Sequence, residues 1–357
     1  MKIVTIVGAR PQFVKAAAVS REITKHPEIK EIIVHTGQHF DANMSDIFFE
    51  EMHIPRPDYF LDVNSVGHGA MTGRMLEKIE EVLLKEKPDY VMVYGDTNST
   101  LAGALAAKKV YIKVVHVEAG LRSFNMRMPE EINRILTDRI SDILCCPTEN
   151  AITNLEREGF RHFPSQIVNT GDVMQDAALF YSSYSADKSR IIQERKLEQG
   201  RFVLCTIHRA ENTDDSNRLK SIVEALNEVA RQMDIVLPLH PRTQKILQER
   251  DFKLNFDPID PVGYFDMIEL LKNTACVMTD SGGLQKEAFF FSKPCVTLRD
   301  ETEWVELVQT GANQLVGSDK VKILKAFSAA NISQTFDNSL YGNGSACQRI
   351  IKTISGS

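Results

Sequence analysis

Short runs that are apolar along their whole length recur through this chain, with amphipathic helical stretches between them. They are Lys2 to Val7, Glu31 to Thr36, Tyr90 to Tyr94, Val114 to Val117, Ile143 to Cys145, Phe202 to Ile207, Ile235 to Leu239, Cys276 to Met278, Cys295 to Leu298 and Gln314 to Val316. A strand with one face in water alternates apolar and polar residues. A strand apolar throughout must be covered on both faces, and the intervening helices supply the cover. The pattern therefore predicts an α/β fold with doubly wound parallel sheets. A chain of 357 residues accommodates two domains at about 150 residues each. The polar stretch from Ser182 to Gly200 interrupts the alternation, and it, or the Gly171-Asp172 turn before it, is where one sheet is expected to give way to the next.

Charge and targeting signals narrow the partners. The chain has 42 basic and 48 acidic residues, a net charge of -6, and no block of like charge, which predicts neither a nucleic-acid nor a membrane-surface partner. No apolar run approaches the roughly 18 residues of a membrane span. Met1-Lys2-Ile3-Val4 enters a strand at once, leaving no room for a signal peptide, so a cytoplasmic location is expected. The six cysteines show no C-x-x-C spacing and lie mostly in apolar runs; reduced structural thiols are expected.

In doubly wound sheets the ligand lies outside the carboxyl ends of the strands, so the strand-end loops hold the chemistry. Ser281-Gly282-Gly283 precedes a helical stretch, and such a turn presents unpaired N–H groups and a positive helix end to phosphate. Glu287, one turn down the same face, is within reach of a ribose diol. A plain helix cap is the alternative reading. Gly8-Ala9-Arg10 is not a dinucleotide fingerprint and no P-loop occurs; instead Arg10, before a helix-opening Pro11 and followed by Lys15, is placed to clamp an anion. Asp96, Glu118, Glu130 and Glu131 are carboxylates in or after strand-end loops, suited to acid–base work on a sugar carbon. Their structural alternatives are an Asx turn for Asp96, a helix N-terminus for Glu130 or Glu131, and a buried ion pair with Arg122 for Glu118. His208 and His240 close two strands of the second half, and no third ligand sits at a zinc spacing, so no metal is expected.

Taken together, Gly8-Ala9-Arg10-Pro11-Gln12, Thr36-Gly37-Gln38-His39, Gly95-Asp96-Thr97, Val117-Glu118-Ala119-Gly120-Leu121-Arg122, Pro129-Glu130-Glu131-Ile132-Asn133-Arg134, His208-Arg209-Ala210-Glu211-Asn212 and Asp280-Ser281-Gly282-Gly283-Leu284-Gln285-Lys286-Glu287-Ala288 resemble the non-hydrolysing UDP-N-acetylglucosamine 2-epimerases over nearly the whole chain. The resemblance implies a GT-B architecture, two Rossmann-like domains facing a cleft, and a homodimer. Residues 1–172, completed by the C-terminal helix at about 344–357, would carry the catalytic acids, and residues 173–343 would bind UDP. It also implies C2 epimerisation of a UDP-sugar by anti elimination of UDP to a 2-acetamidoglucal and re-addition, for polysaccharide precursor synthesis, with no cofactor. Asp96, Glu118, Glu130 and His208 fall on the catalytic positions. Arg10, Lys15, Arg134, His240, Ser281, Gly282, Gly283 and Glu287 fall on substrate- or UDP-binding positions.

The chain departs from the family pattern in three places. Gln12 stands where glutamate is common. Phe40-Asp41-Ala42-Asn43 replaces Arg-x-Met-Leu after Gln38-His39, which puts allosteric activation by the substrate in doubt. Gly171-Asp172-Val173-Met174-Gln175-Asp176 replaces Gly-Asn-Thr-Val-x-Asp. With the segment Arg122 to Met128, these resemble the subgroup acting on UDP-2,3-diacetamido-2,3-dideoxyglucuronate, where Arg127 would pair with the substrate carboxylate. The competing expectations are a GT-B glycosyltransferase using a UDP-sugar donor and a non-catalytic nucleotide-sugar sensor.

Overall fold

The computed structural model describes residues 1–38, 55–330 and 338–356. Two compact units emerge, one from Met1–Ala177 with Ser339–Ser357, the other from Ala178–Asn338.

Unit one is built on β1 (Lys2–Val7), β2 (Lys30–His35), β3 (Tyr59–Phe60), β4 (Tyr90–Tyr94), β5 (Lys113–Val117), β6 (Ile143–Cys146) and β7 (Gln166–Asn169). They form one sheet in the order β3-β2-β1-β4-β5-β6-β7, and every pairing is parallel. The β-branched runs of β1, β4 and β5 are buried because helices lie on both faces. Against one face, Val4, Ile6, Val91 and Val93 pack with Met75, Ile79 and Ala102, Ala104, Ala106 and Ala107. The small residues let helix Asn98–Lys109 come close, and a Cβ on Gly103 would press on Ile6 and Val93 at 3.1 Å. The C-terminal helix Ala346–Ser355 joins this unit against helix Arg10–Ile23. Asp176 caps it from outside, accepting the N–H groups of Ala346 and Cys347 at 3.1 and 2.8 Å.

Unit two holds β8 (Phe202–Thr206), β9 (Asp234–Val236), β10 (Cys276–Thr279), β11 (Cys295–Thr297) and β12 (Asn313–Leu315), again all parallel, in the order β12-β11-β10-β8-β9. The α/β class with two doubly wound, Rossmann-like sheets is thus as the alternation predicts. The passage between sheets falls between β7 and β8, the interval that holds both Gly171-Asp172 and the polar stretch. Helix Val173–Lys188 runs through the first third of the polar stretch, and its serines turn their hydroxyls back onto the helix, as Ser182 Oγ does to the Leu179 carbonyl at 2.8 Å.

The strand order fixes where ligands belong. In unit one the chain leaves β1 for β2 on one side and β4 for β5 on the other, so the connections after the adjacent strands β1 and β4 run in opposite directions. In unit two the same reversal falls between β8 and β10. These switch points are the crevices in which doubly wound sheets bind ligands. Arg10 and Asp96 follow β1 and β4, and His208 and Ser281 follow β8 and β10.

Among the described residues no helix is long and apolar enough to cross a membrane. All six cysteines are buried and free, and burial pushes the Cys145, Cys276 and Cys295 thiols up to about 12.

Candidate active site

At the switch point of unit one, Gln12 joins the two strand ends. Its Oε1 accepts the N–H groups of Gly8 (2.9 Å) and Ala9 (3.0 Å), while Nε2 donates to the Tyr94 carbonyl (2.8 Å) and the Thr100 hydroxyl (3.0 Å). A glutamate could not donate to those two oxygens, so the departure from the family pattern has a local account. Pro11 follows Ala9 at the cap and Arg10 at the first helical position, one place later than expected but still where its missing N–H costs nothing. The Arg10 backbone opens this helix.

Asp96 and Glu118 are held by different cations. Asp96 Oδ2 accepts from Arg134 Nη2 at 2.6 Å, not from its own loop as an Asx turn. Desolvation raises the Asp96 carboxyl above its ordinary value, outweighing the opposing pull of Arg134 and Lys15. Glu118 pairs with the buried Lys15. Its backbone is left-handed, φ 74°, a strained conformation for a residue with a Cβ. The strain is held by the Cys145 carbonyl, which accepts the N–H groups of Glu118 and Ala119, each at 3.1 Å. The ion pair considered between Glu118 and Arg122 does not form. Arg122 instead pairs with Asp138 and Glu158.

The two neighbouring glutamates of helix Pro129–Ile140 separate by role. Glu131 is fully buried, accepts the N–H groups of Ser123 (3.0 Å) and Phe124 (2.8 Å), and pairs with Arg134 Nη1 at 2.6 Å. It builds the preceding loop. Glu130 projects from the first turn and is exposed, and Arg127, three residues before it, is exposed as well. Unit one therefore brings Lys15, Asp96, Glu118 and Arg134 into direct pairs, with Glu130 at the start of the helix that carries Arg134. His39 and the segment Phe40 to Asn43 lie outside the described residues.

In unit two, Ser281 caps helix Gly282–Phe290 and accepts from the Leu284 N–H at 3.4 Å. The glycines differ in purpose. A Cβ on Gly282 would collide with Glu303 Oε1, whereas Gly283 is exposed and meets nothing nearer than Ser281 Oγ at 4.0 Å. Nothing among the described residues demands glycine at 283. Its absent side chain leaves the positive helix end open, as an anion site requires. Glu287 lies on this helix, half-buried.

His208 is half-exposed, with Nδ1 3.4 Å from Asp280 Oδ1. Asp280 is fully buried and organises the loop, accepting the N–H groups of His208 (3.1 Å) and Arg209 (3.0 Å) and the Asn212 side chain (3.1 Å). It immediately precedes Ser281, so one carboxylate fixes the His208 loop against the Ser281 turn. The sequence reading passed over it. Its signal was a lone acid at the end of apolar β10, where a charge has no reason to be buried unless it is bonded. His240 is exposed and caps helix Pro241–Glu249, its Nδ1 accepting from the Arg242 N–H at 3.3 Å. Among the described residues no group of three or more His, Cys, Asp or Glu is placed to hold a metal ion.

The chain is similar to known proteins along its full length. The UDP-2,3-diacetamido-2,3-dideoxy-D-glucuronate 2-epimerase of Pseudomonas aeruginosa is 58% identical over 357 residues, 99% of each chain. The UDP-N-acetylglucosamine 2-epimerase of Methanocaldococcus jannaschii is 45% identical over 99% of each. The crystal structure of the M. jannaschii UDP-GlcNAc 2-epimerase in complex with UDP-GlcNAc and UDP superimposes with a TM-score of 0.89 at 44% identity, covering 100% of both chains. That of Neisseria meningitidis UDP-GlcNAc 2-epimerase bound to UDP-GlcNAc also gives 0.89, at 32% identity and the same coverage. The sequence profile of UDP-N-acetylglucosamine 2-epimerase matches residues 21–355, and with carboxylates at one switch point and an open helix end at the other, this chain belongs to the UDP-N-acetylglucosamine 2-epimerase family.

Proposed function

We propose that this protein inverts C2 of a UDP-linked 2-acetamido sugar without net hydrolysis, by anti elimination of UDP to a 2-acetamidoglucal followed by re-addition of UDP. The observation that carries the reading is the pair Asp96 and Glu118 at neighbouring strand ends, each neutralised by a separate cation, Arg134 and Lys15. Two carboxylates in different environments are what proton removal from one face and delivery to the other require.

The chemistry sets the order of events. The C2 proton is not alpha to a carbonyl, so the C1–O bond must loosen before it becomes acidic. Arg10, His208 and the open helix end at Ser281, Gly282 and Gly283 stabilise the departing diphosphate. Asp96, Glu118 and Glu130 stabilise the cationic sugar and move the proton. The upward shift at Asp96 brings that carboxyl closer to the working pH than a solvated acid, which suits a proton carrier. His240 and Glu287 serve the nucleotide, Glu287 by accepting from the ribose diol. Glu287→Ala then weakens UDP binding by about 1 to 3 kcal/mol, the usual cost of losing charge-assisted hydrogen bonds; unchanged affinity by calorimetry removes Glu287 from the site.

For the sugar we favour UDP-2,3-diacetamido-2,3-dideoxy-D-glucuronate over UDP-N-acetylglucosamine. The 58% identical P. aeruginosa protein bears that substrate in its name, and the exposed Arg127 beside Glu130 suits a uronate carboxylate. The assembly proposed is a homodimer, testable by sedimentation equilibrium.

The deciding experiment incubates the protein with each UDP-sugar alone in D2O and follows the product by proton NMR. The C2 epimer forms without acceptor, nicotinamide or added metal. It carries deuterium at C2, because the returning hydrogen comes from a protein group that exchanges with water. Protium retained at C2, or a requirement for NAD, excludes the elimination route. A glycosyltransferase leaves C2 untouched and waits for an acceptor.

A further inference from the structure

We propose that a buried imidazolium–carboxylate pair, His116 with Asp138, is the positioning element that holds the segments carrying Asp96, Glu118 and Glu130 in register. The inference rests on the reading of those three acids as reacting groups.

The geometry of the pair reaches all three segments. His116 stands in β5, fully buried. Its Nε2 lies 2.7 Å from the Gly95 carbonyl, the residue before Asp96. Its Nδ1 lies 2.6 Å from Asp138 Oδ1. The other oxygen, Asp138 Oδ2, accepts the N–H of Gly120 at 3.1 Å, two residues after Glu118, and Arg122 Nη1 at 2.7 Å. Asp138 itself stands on helix Pro129–Ile140, which has Glu130 in its first turn and also carries Arg134. One carboxylate and one imidazole therefore connect the β4 loop, the β5 loop and the helix.

Hydrogen-bond arithmetic then fixes the proton count. A carbonyl oxygen only accepts, so Nε2 must carry a hydrogen. A proton must also lie between Nδ1 and Oδ1, since two acceptors do not approach to 2.6 Å. It resides on nitrogen, because Oδ2 faces a guanidinium and an amide N–H, both of which favour the ionised carboxylate. The remaining titratable groups around the pair agree. Burial keeps the Cys145 and Cys146 thiols of β6 protonated and uncharged, and Glu158 balances Arg122 through two bonds of 2.7 and 2.8 Å. His116⁺, Asp138⁻, Arg122⁺ and Glu158⁻ sum to zero, which makes burial of the four tolerable. With Asp138 ionised, a neutral His116 has to give up either Gly95 or Asp138, and with it the register between Asp96 and Glu118.

Two measurements test this, the first independent of any activity. In protein labelled with 15N-histidine, the ring of His116, assigned through its neighbours in β5, shows both of its N–H hydrogens protected from exchange with water, as bonds of 2.7 and 2.6 Å to Gly95 and Asp138 require. If either ring hydrogen exchanges as freely as one on an exposed imidazole, the proposal is overturned, whether or not the protein proves to be an epimerase. The second compares His116→Gln and Asp138→Asn with the parent, normalised to UDP-binding sites. We expect kcat to fall about a hundredfold, the scale of a small misplacement of reacting groups, with the UDP dissociation constant unchanged because neither His116 nor Asp138 is among the residues proposed to bind UDP. Unaltered kcat per UDP-binding site in both variants overturns the positioning role. Should the variants not fold, the NMR result on the parent protein decides.

Discussion

Glu118→Gln, Asp96→Asn and Glu130→Gln each lower turnover at least about a hundredfold, the usual contribution of a positioned acid or base. The structure separates the three in what else they disturb. Glu130 is exposed, so its glutamine variant keeps its stability to within about 0.5 kcal/mol and gives the cleanest kinetic result. Asp96→Asn removes one of two carboxylates on Arg134 and leaves the other, Glu131, in place at 2.6 Å. Glu118→Gln strips the buried Lys15 of its partner, so some stability is lost with the rate. Single-turnover measurements, with thermal unfolding on the same samples, resolve the two effects. Near-normal rates in all three variants would show that the reaction is assigned to the wrong residues.

How much of this was legible in the sequence depended on whether burial left a pattern. The central strands were readable almost to the residue: Lys2 to Val7 and Tyr90 to Tyr94 are the observed β1 and β4. The edge strands β3 and β7 were missed. Tyr59–Phe60 and Gln166–Asn169 are half-exposed, and an edge strand covered on fewer sides has no continuous apolar run to reveal it. The carboxylates, His208 and the Ser281 turn were legible because strand-end position alone marks a doubly wound sheet's ligand loops. What supports them was not. His116 reads as a polar interruption in Lys113–Val117, and Asp138 as an ordinary helix acid. Their meeting depends on the β4-β5-β6 order and on which face of helix Pro129–Ile140 turns inward, facts that sequence spacing does not contain. Asp280 and Gln12 were visible as residues but not as braces, since each bonds backbone groups from a distant segment. Gln12 reaches Tyr94 across 82 positions, and Asp280 reaches His208 across 72.

The same buried network predicts a large loss of stability when Arg122 becomes alanine, about 3 kcal/mol at pH 7. Arg122 is 2% exposed and makes four charge-assisted or carbonyl bonds, to Asp138, to Leu121 O at 2.7 Å and to both oxygens of Glu158. Removing one member of a buried ionic group leaves uncompensated charge and costs about 3 to 5 kcal/mol. The lower end applies because His116 remains beside Asp138. Arg122→Lys recovers only part, since an ammonium cannot span Asp138 and the Glu158 fork together. The pH dependence identifies the cause. Desolvation raises the Asp138 carboxyl, but His116 and Arg122 outweigh it and hold it below the ordinary range. A depressed carboxylate contributes stability that is complete above its unfolded value, about 3.9, and is lost as pH falls through the folded value. The difference between parent and Arg122→Ala is therefore constant from neutral pH down to about 5 and narrows below about 4, as the parent loses what the variant already lacks. Urea unfolding at pH 7 and at about pH 3.5 measures both limbs. A difference that stays constant into acid would place the stabilisation in packing of the Arg122 side chain, not in its charge.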